Sequence, residues 1–113
     1  MSTADAIASI GWADLELISI GWIETGRDLI LRVRVAGPLP KQERFVIFRW
    51  ASQVAINISG LGGCPLTWDV TFERRPDDTW SVLFDLAGSG EMRLICNDVE
   101  VCEPGKLNHP AEW

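Results

Sequence analysis

The strongest constraint on this chain is a period of two. Trp68, Val70 and Phe72 alternate with Asp69, Thr71 and Glu73; Trp80, Val82, Phe84 and Leu86 then alternate with Ser81, Leu83 and Asp85. Successive side chains of a strand point to opposite faces, so this pattern makes half-buried strands and cannot be sustained by a helix. Arg75-Pro76-Asp77-Asp78-Thr79 lies between the two runs and holds turn formers, which predicts a hairpin. Gly88-Ser89-Gly90 supplies permissive backbone for a second tight turn, after which Met92, Leu94 and Cys96 continue the core phase. The phase slips at Asn97-Asp98, where Val99 and Val101 take over, as a β-bulge would produce.

Upstream, a strand around Leu15–Glu24 leads through Thr25-Gly26-Arg27-Asp28 into Leu29, Leu31, Val33 and Val35, which alternate with Arg32 and Arg34. A long central segment, Phe45–Ser59, places Phe48, Trp50, Val54, Ile56 and Ile58 on one face. Gly37-Pro38-Leu39-Pro40 and Gly60-Leu61-Gly62-Gly63 mark the loops around it. The expectation is an all-β, mainly antiparallel fold: about six strands in a meander, forming a small barrel or a two-layer sandwich. Residues 3–9 fit one short N-terminal helix capped by Ser2 with Asp5 three residues on. Glu103–Trp113, with two prolines and a glycine, reads as an irregular tail.

Keeping the core phase sets a register. In the first hairpin Phe72 faces Val82, Val70 faces Phe84 and Trp68 faces Leu86, which puts Asp69 beside Asp85. In the second, Leu86 faces Met92, Phe84 faces Leu94 and Val82 faces Cys96, which puts Asp85 beside Arg93 and Leu83 beside Ile95. Adjacent carboxylates repel, so Asp69 and Asp85 either use Arg93 or await a partner's cation. Leu83 and Ile95 on the supposedly wet face call for a cover: another layer, the tail, a second copy or a different protein.

With 113 residues, the chain is one domain over 1–113, long enough to bury roughly two-thirds of its unfolded surface. No apolar run reaches the roughly 20 residues of a membrane helix. A formal charge of −6 argues against nucleic acid as a partner, since phosphate neutralisation needs a basic face. The charge is segregated. Residues 1–26 hold four acids and no base, whereas 27–49 carry Arg27, Arg32, Arg34, Lys41, Arg44 and Arg49 against Asp28 and Glu43. Neighbouring strands of opposite sign should therefore pair on the solvent face. The first residues lack the basic start and long apolar stretch of a secretory signal, and three cysteines cannot all pair, which points to a reducing compartment such as the cytoplasm.

Catalytic signals are poor, and the expectation is no enzyme. The single histidine, His109, precedes Pro110 in the tail, a weak base for a nucleophilic unit. Cys64, Cys96 and Cys102 lack zinc-site spacing, and Gly60-Leu61-Gly62-Gly63 lacks the Lys-Ser/Thr of a phosphate loop. No metal and no cofactor are expected. Trp50, Trp68 and Trp80 fall in the core phase and are read as packing.

The segment Gly26-Arg27-Asp28-Leu29-Ile30-Leu31, the hairpin Trp68–Trp80 and the stretch from Phe84-Asp85-Leu86-Ala87-Gly88 to Met92-Arg93-Leu94-Ile95-Cys96 carry a resemblance. Taken together, the chain resembles the small acidic β-rich immunity proteins found beside bacterial toxins. That resemblance implies stoichiometric inhibition without catalysis. The expected function is a non-enzymatic protein-binding domain for a basic partner. Its candidate contact residues are Asp69, Glu73, Asp85, Leu83 and Ile95, with a second acidic group of Glu91, Asp98, Glu100 and Glu103. The alternative is a structural, homodimeric module in which Leu83 and Ile95 form the contact.

Overall fold

A computed structural model of the chain describes residues 2–35, 42–59 and 63–104. It contains one short helix, α1 (Thr3–Ser9), and eight strands: β1 (Glu16–Ile23), β2 (Asp28–Val35), β3 (Gln42–Arg49), β4 (Ser52–Ile58), β5 (Thr67–Arg74), β6 (Trp80–Leu86), β7 (Gly90–Cys96) and β8 (Asp98–Cys102). All strand pairs are antiparallel, and they form two four-stranded sheets ordered β1-β2-β3-β8 and β4-β7-β6-β5. The expected all-β antiparallel class holds, but the six-strand count and the closed barrel do not.

Both extra strands come from sheet switches. The central segment Phe45–Ser59 is not one strand, because Trp50 adopts a left-handed backbone (φ 55°) and ends β3. The chain then enters the second sheet as β4. The phase slip at Asn97 is not a bulge within one strand either. There β7 leaves the second sheet and β8 joins β3 in the first, with Asn97 N–H donating to Arg49 C=O at 2.8 Å. The meander order therefore survives only within β1–β3 and β5–β7.

The core lies between the sheets. Leu29, Leu31, Val33, Val46, Phe48, Val99 and Val101 face Val70, Val82, Phe84, Leu86, Met92, Leu94 and Cys96, all buried. Phe48 meets Phe84 edge-on at 6.0 Å, each ring worth roughly 1.5–3 kcal/mol on burial. The expected helix is present: Ser2 Oγ accepts from Asp5 N–H while Asp5 Oδ2 accepts from Ser2 N–H, a reciprocal cap. It buries Ala6 in the core and docks on the edge strand β8, where Thr3 Oγ1 accepts from Val99 N–H.

The first hairpin has the expected register for Asp69–Asp85, Val70–Phe84, Thr71–Leu83 and Phe72–Val82. At its start, however, Leu86 faces Thr67 rather than Trp68, because a bulge between Thr67 and Asp69 turns Trp68 out of the core. The second hairpin is two residues off. Phe84 pairs with Met92, Leu83 with Arg93 and Asp85 with Glu91. The turn is tighter than expected: Ser89 N–H donates to Leu86 C=O with Gly88 at φ 76°, so Leu86 faces Gly90 instead of Met92.

Candidate functional site

Within the basic stretch 27–49, Arg27, Arg32, Arg34 and Arg49 are ion-paired to acids of the first sheet, Arg44 bonds to Gln42 and the Glu43 carbonyl, and Lys41 lies outside the described residues. Arg34 pairs with Glu16 on β1, Arg32 and Arg34 pair with Glu43 on β3, and Arg49 pairs with Glu100 on β8. These pairs meet the expectation that oppositely charged strands neutralise each other. Beneath them on the same face, Ile23, Ile30, Phe45 and Ile47 form a second small buried cluster. Glu100, a candidate partner contact, is thus engaged by Arg49. Asp98 accepts a bond from Thr3 Oγ1, and Glu103 is exposed at the end of β8.

The outer face of the second sheet is different. Cross-strand register sets Asp69, Asp85 and Glu91 side by side in one row, followed by Asn57 on β4. Neighbours in such a row have Cβ atoms about 5 Å apart, so the three carboxylates repel one another. Among the described residues no ion pair reaches Asp69 or Asp85, and Arg93 pairs with Glu91 at 2.8 Å. The expected placement of Arg93 beside Asp85 does not occur, and the compensation falls one strand over.

The next row is Thr71, Leu83, Arg93 and Ala55, and the third is Glu73, Ser81, Ile95 and Ser52. Leu83 does not face Ile95; the two are diagonal neighbours, with Leu83 38% exposed and Ile95 half-buried. A depression of about 230 Å³ runs between these rows, bordered by Glu73, Ser81, Leu83, Glu91 and Arg93. Trp68, released by its bulge, is 70% exposed at the start of β5. Six of the candidate contacts (Asp69, Glu73, Leu83, Asp85, Glu91 and Ile95) therefore share one face. Asp98, Glu100 and Glu103 belong to β8 in the other sheet or its end, so Glu91 does not cluster with them.

A second feature gave little warning in the sequence. Asp28, at the start of β2, is fully buried yet ionised. Arg27 donates to it through Nε (3.0 Å) and Nη2 (2.8 Å), Arg49 through Nη1 (2.7 Å), and Trp50 through its backbone N–H (3.0 Å). Burial acts to raise its pKa, but these four donors outweigh it and hold the carboxyl at about 2. The network fixes Trp50 outward, 59% exposed, with the Arg27 guanidinium 5.0 Å above its ring. Trp50 and Trp68 are thus not core residues, contrary to their phase, whereas Trp80 does pack against the core. Between Trp50 and the left-handed turn Glu24–Gly26 lies an open cleft of about 570 Å³.

Two of the three thiols are shielded by burial. Cys96 is buried, and burial with the nearby Asp98 carboxylate pushes its thiol up to about 12. Burial likewise raises Cys102. Cys64 is exposed. Treating native protein with a thiol-reactive disulfide should modify Cys64 in a fast phase and Cys96 only on unfolding; rapid native labelling of Cys96 would contradict its burial. No group of three His, Cys, Asp or Glu side chains is placed to hold a metal among the described residues. His109 and the rest of the tail from residue 105 on lie outside the described residues. Among the described residues no helix is long and apolar enough to cross a membrane. No protein-family model, curated protein or solved structure matches this chain.

Proposed function

We propose that this chain is a non-enzymatic protein-binding domain that engages a basic partner through the outer face of the β4-β7-β6-β5 sheet, in the manner of an immunity protein. The observation that carries the reading is the row Asp69–Asp85–Glu91, held at like-charge repulsion beside the exposed Leu83. Arg32, Arg34 and Arg49 are spent on the other sheet and Arg93 is spent on Glu91, so among the described residues no cation relieves Asp69 or Asp85, and the proposed partner supplies one from outside. Leu83 at the depression offers apolar contact to the aliphatic stem of a lysine or arginine whose charged head reaches Glu73 or Glu91.

The test is site-specific. A photo-crosslinking residue placed at Leu83 in the host cell should trap one basic protein, while the same residue at Arg32 on the opposite sheet should not. With that protein purified, the triple variant Asp69→Asn, Asp85→Asn, Glu91→Gln should associate about tenfold more slowly at low salt, and its rate should depend less on salt. An association rate and salt slope unchanged by all three substitutions would show that this face is not the docking surface.

A further inference from the structure

We infer that β4 is a self-pairing edge, through which two copies of this chain join their second sheets into one eight-stranded sheet. The inference stands apart from the proposed function and uses a different surface. Each sheet ends in two edge strands, whose unpaired N–H and C=O groups can recruit another strand unless something blunts them. Three of the four edges are blunted. The edge β8 is covered by α1, with Thr3 capping Val99 N–H. The edge β1 is tied to the segment before β5: Leu17 N–H donates to Pro65 C=O and Thr67 N–H to Leu15 C=O. The edge β5 is bulged at Trp68 and carries Asp69, Glu73 and Arg74.

Among the described residues the fourth edge, β4, has none of these covers. It is the one strand of the eight without a charged residue, and the uncharged stretch runs from Trp50 to Trp68. Its bulge between Ser52 and Ala55 bends only the first half, leaving Ala55–Ile58 in regular register with β7. Along that half Ala55, Ile56 and Asn57 are exposed, Ile56 by 47%. A foreign strand selected by this acidic protein would be expected to meet charge; β4 offers none. A second copy suits it, because an antiparallel two-fold pair sets a strand against itself, where any like charge would face its own image. Setting Ile56 against Ile56 of the second copy covers the exposed side chain and places Ala55 opposite Asn57.

The wider electrostatics permit this arrangement. An antiparallel pair has its two-fold axis normal to the sheet, so both acidic faces point the same way. The two Glu91 side chains would lie three strand spacings apart across the sheet and two residues apart along it, about 16 Å, beyond the roughly 8 Å Debye length at physiological salt. Neutral β4 acts as the spacer that keeps two acidic faces from repelling.

Sedimentation equilibrium on the full chain tests this directly. Wild type should pass from the monomer mass to twice that mass as concentration rises, and the backbone amides of Ala55–Ile58 should gain exchange protection in step. Ile56→Lys should abolish the doubling, because two ammonium groups would meet across the axis. Ala55→Lys, an exposed change on the other face of the same strand, should do the same and serves if the first variant fails to fold. Thr71→Lys on β5 should leave the doubling intact. A single monomer mass into the millimolar range overturns the inference. So does a dimer that survives both β4 variants, or one that is lost in Leu83→Lys while persisting in Ile56→Lys, which would move the contact to the outer face.

Discussion

Gly90→Ala should destabilise the domain by about 4 kcal/mol or more, a large part of the 5–15 kcal/mol typical of small domains. Gly90 opens β7 with φ 112°, a backbone that an L side chain rarely adopts. A Cβ there would sit 1.9 Å from the carbonyl oxygen of Asn57 on β4. Neither atom can swing aside, since both belong to paired strand backbone, with Ile58 facing Gly90 directly. The methyl group would therefore force β4 from β7 at the hairpin end and uncover Ile58 and Met92. Gly88→Ala supplies the control. Its φ of 76° is also left-handed, but nothing lies within 4 Å of the added carbon. That substitution should cost about 1–2 kcal/mol, the conformational term alone. Urea unfolding followed by tryptophan fluorescence measures both. Equal losses would mean that β4 does not approach Gly90 in solution.

The same hairpin shows how far the fold could be read in the sequence. Alternation alone placed β5 and β6 and registered Asp69, Val70, Thr71 and Phe72 against Asp85, Phe84, Leu83 and Val82. It failed at both ends, for different reasons. At Trp68 a bulge inserts one residue, and a bulge leaves no mark in polarity when the extra residue is itself apolar. At the Gly88 turn a shift of two residues preserves the core phase, because the side-chain period is two; only the turn geometry decides between the registers. The strand count failed for a third reason. Trp50 is apolar and keeps the phase of Phe48, so nothing in the pattern shows that its backbone is left-handed and that the chain changes sheets there.

The candidate site divides along the same line. The outer face of the second sheet was legible because Asp69 and Asp85 hold polar positions of the alternation and Leu83 interrupts it. The grouping of Glu91 with Asp98, Glu100 and Glu103 failed because nearness along the chain was taken for nearness in space, and Asn97 separates the two sheets. The Asp28 network was hidden, since its members lie on β2, β3 and β8 and in two turns. A faint signal did exist. Leu29-Ile30-Leu31 and Phe45-Val46-Ile47-Phe48 are continuous apolar runs, the pattern of strands buried on both faces, and an aspartate bordering such a run must find partners or neutralise.

Asp28→Ala should accordingly cost about 3 kcal/mol, near the lower end of the range for breaking a buried ion pair. Removing the carboxylate strips a charged partner from Arg27 and Arg49 and an acceptor from the Trp50 N–H. The loss stays at the lower end because the two guanidinium groups keep 36% and 25% exposure, and Arg49 retains Glu100. Glu43→Gln, which breaks the more exposed pairs with Arg32 and Arg34, should cost no more than about 1 kcal/mol. Acid titration gives an independent signature. Asp28 has its folded pKa depressed to about 2 from an ordinary value of 3.8, so its ionisation stabilises the fold fully above the unfolded value. That stabilisation, about 2–3 kcal/mol by linkage, is lost as pH falls from near 4 through about 2. The stability gap between wild type and Asp28→Asn should therefore be widest at neutral pH and close across that window, while the acid response of the remaining carboxylates is common to both proteins. A gap independent of pH between 2 and 7 would mean that folding leaves the Asp28 pKa unshifted, and a gap that narrows as pH rises above 4 would mean that Asp28 is not ionised in the fold. The four donors that hold Trp50 outward would then be pairing with a neutral acid, and the exposed face of that tryptophan would need another cause.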